Sequence, residues 1–176
     1  MTAVSTSFSA YACGLDTAGQ PYCWGDMLVN VDGTHHFGPT PVALPTPVPL
    51  SSLSAGLSHI CGVAATHEAY CWGDFEGGGR GDPLIGFDTS YATFEPNLVG
   101  GGLQLTEVVA GDVSTCGLTT GGQAYCWGSD ALGQLGDPAA PVQQNCGLAP
   151  APCAPGPVPV AGDHQFTALS GTETHA

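Results

Sequence analysis

The chain has 176 residues, and its 15 acidic residues face a single basic one, Arg80, so the formal net charge is −14. With so few cations we expect no binding to nucleic-acid phosphates and none to an anionic membrane surface. No apolar run approaches the roughly 20 residues that a bilayer span needs. The 27 glycines and 15 prolines separate short apolar runs, which predicts many short strands and an all-β class.

The chain opens with residues 1–8, which lack the positive and apolar regions of a signal peptide. The eight cysteines, an even number at regular spacing, nevertheless favour disulfides and an oxidising compartment. We reconcile the two observations by expecting the chain to be part of a longer secreted or cell-surface protein. A cytosolic protein with free thiols is the alternative.

Pairs of cysteines ten residues apart come next, each ending in Cys-Trp-Gly, and they occur three times along the chain. The pairs are Cys13 and Cys23, Cys61 and Cys71, and Cys116 and Cys126, and the tryptophans are Trp24, Trp72 and Trp127. Turn residues lie between the cysteines, so each unit is predicted to be a hairpin with its cysteines opposite each other and disulfide-bonded. At one tryptophan per unit, packing inside the repeat is a better interpretation than an aromatic ligand platform.

Each hairpin is preceded by a short apolar strand and, before that, by a proline-bounded strand such as residues 96–99. Four strands per unit is the content of a β-propeller blade. We predict one repeat domain over 1–176, with units at 1–46, 47–95 and 96–155 and a partial unit at 156–176. Residues 157–160 and 166–171 are expected to be the first two strands of that fourth unit. Such an incomplete array needs further repeats or self-association to close.

The third unit carries the clearest motif, with Ala110-Gly111 before the hairpin and Leu132-Gly133-Gln134-Leu135-Gly136 after it. It resembles the regulator of chromosome condensation repeat, a β-propeller family, and the paired cysteines resemble its bacterial extracytoplasmic branch. The resemblance implies a binding protein, because members include a nuclear exchange factor for a small GTPase and a secreted inhibitor of β-lactamases. Compartment and charge disfavour the first of these roles.

Other candidate sites have simpler interpretations. Cys146 and Cys153 in a proline-rich insert are interpreted as a loop disulfide, since a thiolate metal site needs more ligands. Asp26, Asn30 and Asp32 could suggest a calcium loop, but their spacing does not match the twelve-residue pattern. His59 and His175 share a repeat position, which indicates a structural role. No enzyme motif occurs, and nothing indicates that Asp74 and Glu76 are buried. We therefore expect no catalytic residue, no metal and no cofactor.

The loops that differ between units, 26–39, 74–95 and 129–156, are the predicted working surface. They carry aromatic side chains that we expect to contact a protein partner: Phe37, Phe75, Phe87, Tyr91 and Phe94. The acidic chain favours a partner with a basic patch. The resulting hypothesis is a secreted or cell-surface binding module that is not an enzyme. The alternatives are a structural repeat or adhesin segment and a fragment of a propeller enzyme of the lyase or lactonase type.

Overall fold

Three antiparallel sheets follow one another along the chain in the computed structural model, which describes residues 3–7, 10–26, 38–73, 93–144 and 151–171. The first sheet contains β1 (Ala3–Thr6), β2 (Tyr11–Leu15), β3 (Pro21–Gly25) and β4 (Val42–Ala43). The second contains β5 (Leu50–Ala55), β6 (His59–Ala64), β7 (Ala69–Gly73) and β8 (Thr93–Leu98). The third contains β9 (Leu105–Ala110), β10 (Ser114–Thr119), β11 (Ala124–Ser129), β12 (Gln143–Gln144) and β13 (Pro152–Pro159).

Each sheet is a meander in which neighbouring strands are also neighbours along the chain, apart from β12, which adds outside β13. This is the predicted all-β class with four-stranded propeller blades. Among the described residues, no helix has the length and apolar character that crossing a membrane requires.

The hairpin turns need a left-handed residue, and the chain supplies it in two ways. Gly19 and Gly122 have φ values of 79° and 81°, and His67 holds the same place in the second sheet at φ 69°. A Cβ at Gly19 would lie 2.7 Å from the Leu50 carbonyl oxygen, so glycine lets the next sheet approach closely. At His67 the imidazole Nδ1 lies 3.0 Å from the Leu105 oxygen. Because a carbonyl only accepts, Nδ1 carries the hydrogen.

The proline-bounded strands belong to the preceding sheet, which corrects the predicted phase of the repeat. Residues 96–99 were expected to open the third unit, but Thr93–Leu98 pairs with β7 and completes the second sheet. Residues 157–159 likewise lie in β13, which pairs with β11. The sequence does not show whether such a strand pairs with the hairpin before it or with the hairpin after it. The sheets therefore span residues 3–43, 50–98 and 105–159.

Neighbouring sheets are joined by apolar cores and by serine hydroxyls on their first strands. One core is shared by the first and second sheets and another by the second and third. The Ser5 hydroxyl in β1 accepts a 3.0 Å hydrogen bond from the Ala55 amide in β5. Ser54 in β5 accepts a bond of the same length from the Ala110 amide in β9. The repeat therefore places β1, β5 and β9 side by side.

Residues 160–171 continue this pattern onto the third sheet. The Val160 amide donates to the Ala124 oxygen, as Leu44 donates to Pro21 and Val99 to Ala69. The Phe166 amide donates to the Gly122 oxygen, as Leu50 donates to Gly19 and Leu105 to His67. The prediction of a strand at 166–171 is wrong, since these residues pair with no strand in the described part of the chain. Its backbone contacts are nevertheless those with which a new sheet begins.

Candidate functional site

The three variable loops leave from the same end of the sheets. Each follows a Trp-Gly pair whose glycine has a positive φ, namely 100° at Gly25, 110° at Gly73 and 95° at Gly128. A Cβ at Gly73 would lie 2.5 Å from the Ser58 oxygen, so a side chain does not fit where the loop departs. Because each loop follows the third strand of its sheet, the repeat brings the three points of departure to one face, which we call the loop face.

Beneath the loop face, buried polar side chains tie each sheet to the next. The Tyr11 hydroxyl, at the start of β2, donates a 2.7 Å hydrogen bond to the Gly56 oxygen in the turn after β5. His59 holds the same position at the start of β6, and its Nε2 lies 2.7 Å from the Thr115 hydroxyl in β10. His59 and Thr115 are both buried. The structural role expected for His59 is therefore performed through a side chain of the neighbouring sheet.

The pKa values of two tyrosine hydroxyls, those of Tyr11 and Tyr70, are raised in the folded chain. Burial raises the pKa of the Tyr11 hydroxyl well above its ordinary value, and a hydrogen bond with the Ser7 side chain opposes part of that change. The pKa of Tyr70 in β7 is raised by burial and then by the negative charge of Glu68 and a hydrogen bond with it. Neither phenol is suited to act as a base near neutral pH.

The described part of the third loop is a tightly bonded turn that follows β11. Asp130 Oδ1 accepts the Leu135 amide at 3.1 Å, while the Asp130 amide donates to the Pro152 oxygen at 2.7 Å. The Leu135 side chain is fully buried, whereas that of Leu132 is 70% exposed at the tip. The loop thus presents an apolar side chain on a fixed backbone, an arrangement that suits protein recognition.

Most of the predicted contact residues lie outside the described part of the chain. This holds for Phe37, Phe75, Phe87 and Tyr91, and the acid pair Asp74 and Glu76 lies outside it as well. The backbone of Phe94 lies in β8, close to where the second loop rejoins its sheet. Their role in binding stays a prediction.

The six hairpin cysteines form the three pairs that their spacing predicts: Cys13–Cys23, Cys61–Cys71 and Cys116–Cys126. Each disulfide joins residues directly opposite in the central hairpin, with the Cα atoms 4.1 Å apart. Cys153 in β13 is also disulfide-bonded, and Cys146 lies outside the described residues. The three disulfides link the second and third strands of each sheet beneath the loop face.

Two of the three tryptophans pack between sheets. Trp72 and Trp127 are fully buried, and the Trp72 indole N–H donates a 2.8 Å hydrogen bond to Pro45, in the link from the first sheet. Trp127 lies in the core shared with the second sheet. Trp24 in the first sheet is half-buried. Trp72 and Trp127 therefore each pack against the sheet that precedes their own.

The described residues contain no group of three or more histidine, cysteine or acidic side chains that could hold a metal ion. The calcium candidates Asn30 and Asp32 lie outside the described part, whereas Asp26 is exposed at the end of β3.

With this geometry in hand, the third unit can be compared with known families. Residues 105–134, from β9 to the turn after β11, match the model of the regulator of chromosome condensation (RCC1) repeat. The chain carries an RCC1 repeat. The match covers the strand Leu105–Ala110, the hairpin and the Gly133-Gln134 turn, which are the segments from which the sequence resemblance was drawn. No curated protein sequence matches the chain significantly.

Solved structures extend the likeness to the other two sheets. Yeast RCC1 (Prp20) bound to Kap60 matches with a TM-score of 0.74 and 16% identity, over 93% of this chain and 38% of that one. Human WBSCR16 matches with a TM-score of 0.74 and 17% identity, over 97% of this chain and 42% of that one. Prp20p from Saccharomyces cerevisiae matches with a TM-score of 0.68 and 17% identity, over 92% of this chain and 38% of that one.

These identities show the fold alone, and the chain spans about two fifths of each of these structures. The three sheets are therefore blades of an RCC1-type β-propeller. A predicted feature that the comparisons do not address is the bacterial, cysteine-paired branch of the family.

Proposed function

We propose that the chain is a secreted or cell-surface binding module that recognises a protein partner through the loop face, without catalysis. The observation that carries the proposal is the common departure of the three variable loops from Gly25, Gly73 and Gly128, above hairpins that are each closed by a disulfide. Variable loops on a rigid scaffold are the usual location of recognition.

Two further observations support a protein as the ligand. Yeast RCC1 (Prp20) is a protein-binding propeller in its complex with Kap60, and Prp20p binds Gsp1p and histones. The net charge of −14 favours a partner with a basic patch, because opposite charges steer association and raise its rate. Added salt should therefore slow association more than it accelerates dissociation.

The disulfides support the proposed location. Every described cysteine is bonded, and such bonds persist in oxidising compartments and are rare in the reducing cytosol. Expression in a secretory system is expected to give a protein with no thiol that reacts with iodoacetamide before reduction. Eight reactive thiols in protein recovered from its native source would contradict this location.

Recognition through the loop face is tested with loop exchanges in the oxidised protein. One variant replaces residues 27–37 with a short Gly-Ser linker, and a second replaces residues 75–91. A matched control replaces Thr17 and Ala18, two exposed residues in a hairpin turn at the opposite end, with serine. We expect a partner isolated from the extracellular fraction to lose binding to one or both loop variants and to keep binding to the control.

A further inference from the structure

A shallow groove lies at the end of the sheets opposite the loop face, where the second and third blades meet. Glu68 and Ala69, at the end of a hairpin turn, form one wall, and Leu98 and Val99 continue it. Residues 102–105 form the other wall. The Leu98 side chain is 53% exposed, so the groove offers apolar surface to solvent. The groove is separate from the loop face, and what we infer for the groove does not depend on the function proposed for the loop face.

Comparison between blades shows what is unusual in the groove. Gln20, just before β3, donates from Nε2 to the Leu44 oxygen at 2.6 Å and to the Pro21 oxygen at 3.1 Å. The link after the first blade is thereby fastened to its hairpin. Glu68 holds the same place before β7, and Gln123 holds it before β11. The second blade alone has a carboxylate where the other two have an amide.

The exchange of amide for carboxylate changes what the groove can bind. Val99 corresponds to Leu44, since the amides of both donate to the first residue of the third strand, Ala69 and Pro21. A carboxylate has no hydrogen to donate, so Glu68 cannot bridge to Val99 as Gln20 bridges to Leu44. The groove therefore holds a carboxylate, which accepts hydrogen bonds and carries a negative charge, where the first blade has an amide that donates.

The Glu68 carboxylate is held in place by its neighbours. Its Oε2 accepts a 3.0 Å hydrogen bond from the Thr66 hydroxyl. It also interacts with the Tyr70 hydroxyl, through its charge and through a hydrogen bond. Around it the side chains of Leu98 and Leu103 are apolar. An acidic group fixed beside apolar walls is complementary to a cation on an apolar stem.

We propose that this groove binds an arginine side chain of a partner peptide, with the guanidinium on Glu68 and an adjacent apolar side chain against Leu98 and Leu103. Arginine fits because its planar fork carries five donors and pairs with a carboxylate through two parallel hydrogen bonds. The chain itself contains a single basic residue, Arg80, which lies outside the described part.

The test is an NMR titration of the oxidised, ¹⁵N-labelled chain with the peptide Ac-Leu-Arg-Leu-NH₂. Ac-Leu-citrulline-Leu-NH₂ has nearly the same shape without the charge. We expect saturable shifts centred on the amides of residues 102–105 and at least fivefold weaker binding of the citrulline peptide. Glu68→Gln should fold, because the other blades carry glutamine there, and should weaken arginine binding at least fivefold.

Glu95→Gln is the matched control, since Glu95 is an exposed residue of β8 that does not line the groove. It makes the same chemical change and should leave the affinity within twofold of wild type. Leu98→Ser should weaken the binding of both the arginine peptide and the citrulline peptide. Shifts that do not saturate, shifts centred elsewhere, or equal losses in the Glu68 and Glu95 variants would overturn the proposal. Each of these results would leave the loop-face function untouched.

Discussion

The imidazole Nε2 of His59 lies 2.7 Å from the hydroxyl of Thr115, and the two residues belong to different blades. Both side chains are buried, so their hydrogen bond joins the second and third blades in a region from which water is excluded. Tyr11 makes the corresponding link from the first blade to the second through the Gly56 oxygen. The blades are therefore coupled by directional bonds as well as by apolar packing, and that coupling can be measured.

Thr115→Val removes the hydroxyl with almost no change in shape. We expect it to lower the free energy of unfolding by about 1–3 kcal/mol, because a buried polar group on His59 loses a hydrogen bond. Urea unfolding followed by circular dichroism measures the change. Thr120→Val, at an exposed turn residue, is the control and should cost less than about 0.5 kcal/mol. Equal costs would show that the link between blades contributes nothing.

Gly73→Ala should destabilise the chain more than Gly133→Ala. Both residues have positive φ values, 110° and 79°, so each substitution carries backbone strain of roughly 1 kcal/mol. A Cβ at Gly73 also lies 2.5 Å from the Ser58 oxygen, whereas nothing lies within 4 Å at Gly133. Because the strain is similar in the two variants, we expect the close contact to make Gly73→Ala unfold at a lower urea concentration than Gly133→Ala. If the two variants unfolded at the same urea concentration, the close approach beneath the second loop would be wrong.

Trp72→Phe should cost more stability than Trp24→Phe. Trp72 is fully buried and its indole N–H donates to Pro45, while Trp24 is half-buried. The loss of that hydrogen bond and of packing volume predicts a cost of about 2 kcal/mol at Trp72. Acrylamide should quench mainly the fluorescence that disappears in Trp24→Phe. Quenching that instead tracks Trp72 would contradict the assignment of the buried indoles to the blade interfaces.

Alkaline pH should unfold the chain through its buried tyrosines. Their pKa values are raised in the folded state, from an ordinary value of 10.0, so the folded chain keeps protons that the unfolded chain releases. The associated stability is complete below about pH 10 and is lost as the pH rises beyond it. Tyr11→Phe should flatten this loss, while Tyr22→Phe, at a half-buried residue, should not. The readout is the pH dependence of the urea midpoint between pH 8 and 11.

The hairpins could be predicted because their signal is local. Ten residues with turn-forming residues in the middle place Cys61 opposite Cys71, and this holds even though His67 replaces the glycine of the other turns. The phase of the repeat could not be predicted, because pairing of Thr93–Leu98 with β7 is set by contact across a long loop. The groove at Glu68 was also missed. The signal was present, since Gln20 and Gln123 occupy the matching positions, but only the blade alignment gives it meaning.

The most direct test of recognition through the loop face compares one partner on a set of variants. The partner is a protein retained by the oxidised chain from the extracellular fraction, and its affinity is measured by biolayer interferometry. The account predicts at least a tenfold loss in a variant with residues 27–37 or 75–91 replaced. It also predicts less than a twofold change in the hairpin-turn control at the opposite end. Equal affinity for all variants, or retention that survives only after reduction of the disulfides, would contradict it.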